Sequence, residues 1–237
     1  MTFTFKQFSV NQDRCAMKIG TDGVLLGAWT PIINNPYNVL DIGAGTGILS
    51  LMLAQRSNAE QIDAIEIDED AYEQCVENFE NSNWGDRLFC YHASFQEFVQ
   101  EMYEEEAYDL IVSNPPFYTS QYKSDNEQRD LARFEDALPF DHLLHGSSLL
   151  LSENGIFSTI IPFQEEESFV QKAAHFNLFP FKLTRVKGTP ASEIKRSLIA
   201  FSKNKNTCEI TELIIENSRH NYTEAYIELT QEFYLKM

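Results

Sequence analysis

Short apolar runs alternate with longer amphipathic segments along most of the 237-residue chain. Apolar runs bounded by charge or turn residues are typical of buried strands, and longer amphipathic segments are typical of helices. The alternation therefore predicts an α/β protein with a mainly parallel sheet. The first five predicted strands are Tyr37–Ile42, Gln61–Ile67, Leu88–Tyr91, Asp109–Ser113 and Gly155–Ile161.

Amphipathic segments lie between these strands, and right-handed crossover connections would place the corresponding helices on both faces of the sheet. The acidic run Glu165-Glu166-Glu167 is interpreted as a solvated helix end. The predicted helices are Ile48–Gln55, Asp70–Asn81, Phe95–Tyr103 and Asp136–Leu151.

The last quarter of the chain has a different pattern. Phe181–Val186 and Ser197–Ser202 alternate in polarity around a Lys-Gly-Thr-Pro turn, which predicts an antiparallel hairpin that closes one edge of the sheet. A further strand around Ile210–Ile215 and a final helix from about Thr223 to Tyr234 follow. Because no linker is apparent, we predict one domain over residues 37–237, with residues 1–36 as an amino-terminal extension packed on it.

Charge is the unusual part of the composition. With 36 acidic and 18 basic residues, the formal net charge is −18, although 43% hydrophobic residues are ordinary for a globular protein. Taken as a whole, such a balance argues against a protein that binds a polyanion such as nucleic acid. The bases are unevenly distributed, however, since residues 181–208 hold seven bases and one acid.

Several classes of protein are not favoured by the sequence. The longest uncharged stretch, residues 23–40, contains Pro31 and Pro36, so we expect no membrane span, and charges near the amino terminus argue against a secretory signal. Four cysteines form no CxxC pair and five histidines form no spaced ligand set, so we expect no metal. We expect a monomer in the reduced cytoplasm.

A glycine-rich turn follows the first predicted strand, in the sequence Asp41-Ile42-Gly43-Ala44-Gly45-Thr46-Gly47. Glycines there let the backbone turn tightly and let a ligand approach. Glu66 ends the next strand, 19 residues after Gly47, where an acid can accept hydrogen bonds from the ribose of a nucleoside cofactor. The predicted cofactor-binding residues here are Asp41, Gly43, Gly45, Gly47, Glu66 and Ile67.

The chemistry of the turn favours one nucleoside cofactor over another. A dinucleotide fingerprint would need its third glycine at Ile48, and Asp41 would repel a pyrophosphate. S-adenosylmethionine carries a sulfonium and an ammonium group but no phosphate, so it suits this acid better. The pattern Asp-x-Gly-x-Gly-x-Gly with Glu66 resembles the cofactor motif of class I methyltransferases. An NAD-dependent oxidoreductase remains an alternative.

The fourth strand is followed directly by Asn114-Pro115-Pro116-Phe117. An exocyclic amine is a poor nucleophile, and carbonyl acceptors from Asn114 and Pro115 would localise its lone pair toward a methyl donor. Pro116 stiffens the loop, and Phe117 offers a face on which a planar acceptor can stack. We therefore predict that these four residues are catalytic, with Asn114 also touching the cofactor and Phe117 the substrate.

Two further blocks indicate which amine is methylated. The block from Phe5 to Trp29, together with Tyr222–Leu229 and Phe233-Tyr234-Leu235, resembles the bacterial valine-tRNA adenine-37 N6-methyltransferase family. The resemblance implies a Rossmann-like class I methyltransferase with a seven-stranded sheet. It also implies methyl transfer from S-adenosylmethionine to the N6 amine of adenine 37 in the anticodon loop of a valine tRNA.

Other acceptors share the tetrad, so an rRNA guanine N2 or a release-factor glutamine remains the alternative substrate, and an inactive cofactor-binding module is a third reading. Ser94 stands where many class I enzymes carry an aspartate near the cofactor adenine, so the resemblance implies that Ser94 binds the cofactor there, as a weaker hydrogen-bond acceptor than a carboxylate. Lys18, Thr21 and Asp22 are candidates to line the cofactor entrance. In the basic region, Lys195 and Arg196 are predicted to contact tRNA.

Overall fold

The computed structural model describes residues 2–104, 107–116 and 138–236. The amino-terminal extension forms two short strands and one helix: β1 (Thr2–Thr4), β2 (Ser9–Asn11) and α1 (Thr21–Trp29). The elements that follow alternate between strand and helix: β3 (Asn38–Ile42), α2 (Ile48–Arg56), β4 (Gln61–Glu66), α3 (Glu69–Glu80), β5 (Leu88–His92), α4 (Phe95–Met102) and β6 (Tyr108–Ser113).

The second half of the described chain adds helices and an antiparallel hairpin. Its elements are α5 (Phe140–Leu150), β7 (Leu151–Pro162), a 3₁₀ turn (Phe163–Glu165), α6 (Glu166–His175), β8 (Phe179–Lys187), β9 (Ile194–Ser202), β10 (Glu209–Ile214), β11 (Glu216–Ser218), β12 (Asn221–Tyr222) and α7 (Glu224–Thr230).

One large sheet has the strand order β10-β8-β9-β7-β6-β3-β4-β5. All neighbouring strands pair in parallel except β9, which is antiparallel to both β7 and β8. The predicted α/β class with a mainly parallel sheet is therefore confirmed. The sheet has eight strands rather than the seven that the resemblance implies. β10 pairs with β8 over six residues and forms the edge of the sheet, so the β8–β9 hairpin is not at the edge.

Every strand of the sheet except the edge strands β5 and β10 contributes to two hydrophobic cores. Val39 and Leu110 face the core formed with α1, α2 and α3, whereas Leu40 and Ile111 face the core formed with α4, α5 and α6. Side chains alternate between the two faces of a strand, so a run that is apolar at every position can bury both faces. Among the described residues, no helix is long and apolar enough to cross a membrane.

Helix α1 was not predicted, because its residues from Gly23 to Trp29 are all buried. A helix that is buried on every side lacks the apolar stripe by which amphipathic helices are recognised. Helix α6 was also missed, and the interpretation of Glu166 as solvated is wrong. Glu166 is 8% exposed, and its carboxylate accepts hydrogen bonds from Arg185 Nη2 at 2.7 Å and Ser197 Oγ at 2.5 Å.

Candidate active site

Two neighbouring strands deliver the two predicted motifs to the same edge of the sheet. β3 and β6 pair in parallel, with Ile42 in register with Ser113. The Ser113 hydroxyl donates a hydrogen bond to the Ile42 carbonyl at 3.0 Å. The next residues, Gly43 and Asn114, therefore leave the sheet side by side at its carboxyl edge, where open α/β sheets bind ligands.

The three glycines of the turn all have left-handed backbone, with φ of 72° at Gly43, 55° at Gly45 and 77° at Gly47. An added Cβ at Gly43 or Gly45 would meet no atom within 4 Å, so these two positions border open space. An added Cβ at Gly47 would lie 2.5 Å from the Phe79 ring and 2.9 Å from Cys75 Sγ. Two glycines thus leave room for a ligand, while the third allows α3 to pack.

Asp41 is fully buried at the carboxyl end of β3. Its Oδ2 atom accepts hydrogen bonds from the Ser50 backbone N–H at 3.1 Å and the Ser50 hydroxyl at 2.8 Å. Burial raises the pKa of Asp41 to about 7, against the opposing effect of the Ser50 hydrogen bonds, and the nearby charge of Glu66 adds to the rise. The Oδ1 atom has no partner among the described residues, so a cationic ligand could still satisfy it.

Glu66 ends β4 beside the glycine turn. Its Oε2 atom accepts a hydrogen bond from the Gly45 N–H at 2.7 Å, and its Oε1 atom accepts from the N–H groups of Ile67 and Asp68 at 2.8 and 3.0 Å. These bonds hold the carboxylate against the turn. Ile67 is 52% exposed, so it presents an apolar surface next to this acid.

Ser94 has a local structural role. It is the N-cap of α4 and forms a capping box with Glu97, since its hydroxyl oxygen accepts from the Glu97 N–H at 3.3 Å and its own N–H donates to Glu97 Oε2 at 3.1 Å. The Ser94 hydroxyl also donates to Glu97 Oε2 at 2.6 Å. These hydrogen bonds lower the pKa of Glu97. A cofactor contact of Ser94 therefore stays a prediction alongside an observed capping function.

Asn114, Pro115 and Pro116 follow β6 directly, with Pro115 buried and the other two partly exposed. Helix α1 approaches this motif closely, because an added Cβ on Gly23 would stand 4.0 Å from Asn114 Nδ2. A segment of the amino-terminal block thus lies against the acceptor motif. The fourth member of the tetrad, Phe117, lies outside the described residues.

Relatives of known name match the whole chain. The protein from Flavobacterium johnsoniae named tRNA1(Val) (adenine(37)-N6)-methyltransferase is 66% identical over 99% of this chain and 100% of its own length. A protein of the same name from Phocaeicola vulgatus is 48% identical over 99% of this chain and 98% of its own length. The chain belongs to the tRNA1(Val) (adenine(37)-N6)-methyltransferase family. The family model named Methyltransferase small domain also matches residues 24–139.

Solved structures support the fold of this family member. A predicted O-methyltransferase from Agrobacterium tumefaciens aligns with a TM-score of 0.69 at 16% identity, covering 90% of this chain and 96% of its own. A methyltransferase from Pyrococcus furiosus aligns with a TM-score of 0.53 at 22% identity, covering 76% and 80%. Both likenesses confirm the Rossmann-like methyltransferase fold.

The amino-terminal block of the methyltransferase is tied to the glycine turn through a residue that was not predicted. Asn78 on α3 is 1% exposed, and its Nδ2 atom donates to the carbonyls of Asn11 and Thr46, both at 2.9 Å. Its Oδ1 atom accepts from the Asn11 N–H at 2.8 Å. A polar residue on the buried face of an amphipathic helix was the available sequence signal, since such groups require hydrogen-bond partners.

The predicted basic region is only partly available to a substrate. Lys195 is exposed, whereas Arg196 forms an ion pair with Asp22, its Nε atom 2.8 Å from Oδ2. Two other bases of the region are also paired, Arg185 with Glu166 and Lys187 with Glu212. No group of three or more potential metal ligands occurs within the described part of the methyltransferase.

Proposed function

We propose that this protein transfers a methyl group from S-adenosylmethionine to the N6 amine of adenine 37 in tRNA1(Val). Relatives that are 64–66% identical over nearly the whole chain carry the name of this activity. The observation that carries the proposal is the register of Ile42 with Ser113, because it brings the glycine turn and Asn114 together at one edge of the sheet.

The residues of the turn fit S-adenosylmethionine. The unpaired Oδ1 atom of buried Asp41 suits a cationic ligand, and the space beside Gly43 and Gly45 suits a close backbone approach. Glu66 would accept hydrogen bonds from the ribose hydroxyls. When bound, the cofactor would supply an electrophilic methyl carbon on its sulfonium, with S-adenosylhomocysteine as the leaving group.

Asn114 and Pro115 would act on the substrate amine. The Asn114 side-chain carbonyl and the Pro115 backbone carbonyl accept hydrogen bonds from the two amine hydrogens, which localises the lone pair for direct transfer. The two prolines hold these acceptors in place before the substrate arrives. We expect Phe117 to stack on the adenine.

An RNA substrate gives a role to the basic residues Lys195 and Arg196. Adenine 37 lies in a single-stranded loop, so it can be splayed into a pocket at modest cost. Exposed Lys195 would contact the phosphate backbone, and Arg196 lies beside it at the same end of β9. Binding of tRNA also implies a location in the cytoplasm.

The proposal is tested by incubating the protein with methyl-labelled S-adenosylmethionine and tRNA1(Val) transcribed without modifications, followed by nucleoside analysis. We expect labelled N6-methyladenosine. The matched control is the same transcript with guanosine at position 37, which should remain unlabelled. Label in methylguanosine, or label in rRNA or a release factor but not in tRNA, would overturn the substrate assignment.

A further inference from the structure

A groove lies beside the start of helix α1, and its lining includes neither the glycine turn nor the Asn114 motif. It has a volume of about 610 Å³, within the range of roughly 300–1,000 Å³ typical of small-ligand sites. Strand β1, the β11–β12 hairpin and the chain after α7 form its other walls. Residues that line it include Phe3, Gly20, Thr21, Tyr222, Tyr234 and Lys236. We call it the tyrosine groove.

Two partly exposed rings in the tyrosine groove are held in place by other aromatic residues. Tyr222 packs against the buried ring of Tyr226, with centroids 5.3 Å apart. Tyr234 packs edge-on against Phe3 at 6.3 Å. Proteins bind unpaired bases by stacking them on aromatic rings. Rings that are already held in place lose little conformational entropy when a base stacks on them.

The tyrosine groove is close to the acceptor motif. Its wall at Thr21 is two residues before Gly23, and consecutive Cα atoms are about 3.8 Å apart. An added Cβ on Gly23 would in turn stand 4.0 Å from Asn114 Nδ2. With the Cα–Cβ bond of about 1.5 Å included, the Thr21 Cα atom therefore lies within about 13 Å of the acceptor amide.

The residues that line the groove would repel RNA less than the net charge of the whole chain suggests. The net charge of the chain is −18, but the groove has one acid, Glu216, and one base, Lys236, among its lining residues. Lys18 is exposed two residues before Gly20, at the same wall. An RNA strand that leaves the acceptor motif thus meets a neutral, aromatic surface rather than an acidic one.

We propose that the tyrosine groove binds an unpaired nucleotide that flanks the target adenine, with Tyr222 and Tyr234 as stacking surfaces. This inference rests on the proposed function, since it assumes that the substrate is a single-stranded RNA loop. It assigns the carboxy-terminal segment a role in holding RNA, separate from the cofactor and the acceptor amine.

The test measures steady-state methylation of the anticodon stem-loop of tRNA1(Val) at saturating S-adenosylmethionine. The variant Tyr222→Ala removes one base-stacking ring. It should raise the KM for RNA about tenfold and leave the kcat and the cofactor Kd unchanged. Tyr222→Phe keeps the ring and should behave as wild type. Tyr103→Ala is the matched control, because Tyr103 is 50% exposed and follows α4, which packs on the opposite face of the sheet.

A second measurement covers the case in which Tyr222→Ala folds poorly. Stem-loops with a photoreactive 4-thiouridine beside the target adenine are crosslinked to the wild-type protein and mapped by mass spectrometry. Crosslinks to the tyrosine groove support the inference. If the wild type methylates the stem-loop but crosslinks elsewhere, or if a folded Tyr222→Ala keeps the wild-type KM, the groove inference is wrong and the methyltransferase assignment stands. A wild type that methylates no tRNA would overturn both.

Discussion

The carboxylate of Asp22 and the guanidinium of Arg196 form an ion pair with Oδ2 and Nε 2.8 Å apart, although 174 residues separate them. Asp22 is in the first turn of α1, next to Gly23, and Arg196 is near the start of β9. The pair therefore links the helix that approaches Asn114 to the central sheet. Each side chain is about one-third exposed, at 30% and 33%.

Loss of the pair should affect turnover more than stability. Partly exposed ion pairs contribute roughly 0–1 kcal/mol, so Asp22→Asn should change the Tm little. A shift of helix α1 against Asn114 should lower the kcat several-fold, because small misplacements of positioning groups are costly. Lys172→Gln is the control, since it removes a 3.0 Å ion pair with Asp141 between α5 and α6.

The same variants separate two roles for Arg196. If Arg196 acts through Asp22, then Arg196→Gln and the double variant should both match Asp22→Asn in kcat. If Arg196 instead contacts tRNA, only the variants that lack it should raise the KM for tRNA. Steady-state kinetics of all three variants distinguish these outcomes.

Reversing the charge of Lys195 should weaken tRNA binding, because its exposed ammonium is available to a phosphate. Lys195→Glu is expected to raise the Kd for tRNA and to reduce the salt dependence of log Kd by about one phosphate contact. Filter binding at several salt concentrations measures both quantities. An unchanged Kd and slope would count against a tRNA contact at this position.

Asn114→Ala should remove catalysis while leaving the cofactor site nearly intact. Loss of one acceptor for the substrate amine is expected to lower the kcat by a factor of about 10²–10³. Calorimetry should show nearly unchanged S-adenosylmethionine binding. Asn83→Ala, at an exposed position, is the control. Weakened cofactor binding with normal turnover at saturation would contradict the catalytic role of Asn114.

The raised pKa of Asp41 predicts a pH dependence of stability. Its pKa is about 7 in the folded protein and near 3.8 when unfolded, so the folded state favours the neutral carboxyl. The stabilisation is fully present below about pH 4 and is lost as the pH rises through about 7. The Tm of the ligand-free protein should therefore decrease over this range more than that of Asp41→Asn, as measured by calorimetry.

A cationic ligand should reverse part of this trend, because it favours the charged form of Asp41. The affinity for S-adenosylmethionine is expected to increase about eightfold between pH 6 and 7.5, as the ionised fraction of a group with a pKa of about 7 grows. Isothermal titration calorimetry measures this change. The same rise in Asp41→Asn would assign the effect to another group.

Alanine at two glycines of the turn should have different consequences. Gly43→Ala strains a left-handed residue without a clash and should destabilise the fold by about 1–2 kcal/mol. Gly47→Ala adds an overlap with Phe79 and Cys75, so a loss of about 2–5 kcal/mol is expected. Urea denaturation compares the two variants. Equal losses would show that α3 moves away to accommodate the methyl group.

Local chemistry explains which parts of the site could be predicted from the sequence. The glycine turn, Glu66 and Asn114 each adjoin a strand with a strong apolar pattern, so their meeting at one edge follows from the parallel topology. Helix α1 was missed because burial on all sides removes its periodicity. The partner of Arg196 depends on how β9 packs beside α1, and no local pattern encodes a contact across 174 residues.

Asn78 has a consequence for how the protein can be shortened. Its amide holds Asn11 with one set of hydrogen bonds and Thr46 of the glycine turn with another. Deleting the first twenty residues would remove the Asn11 N–H that Asn78 Oδ1 accepts from and would leave Nδ2 bonded to the Thr46 carbonyl alone. The extension thus supports the glycine turn from below, and a fragment that begins at β3 would keep Gly43, Gly45 and Gly47 while losing the Asn11 contacts that hold Asn78 against the turn.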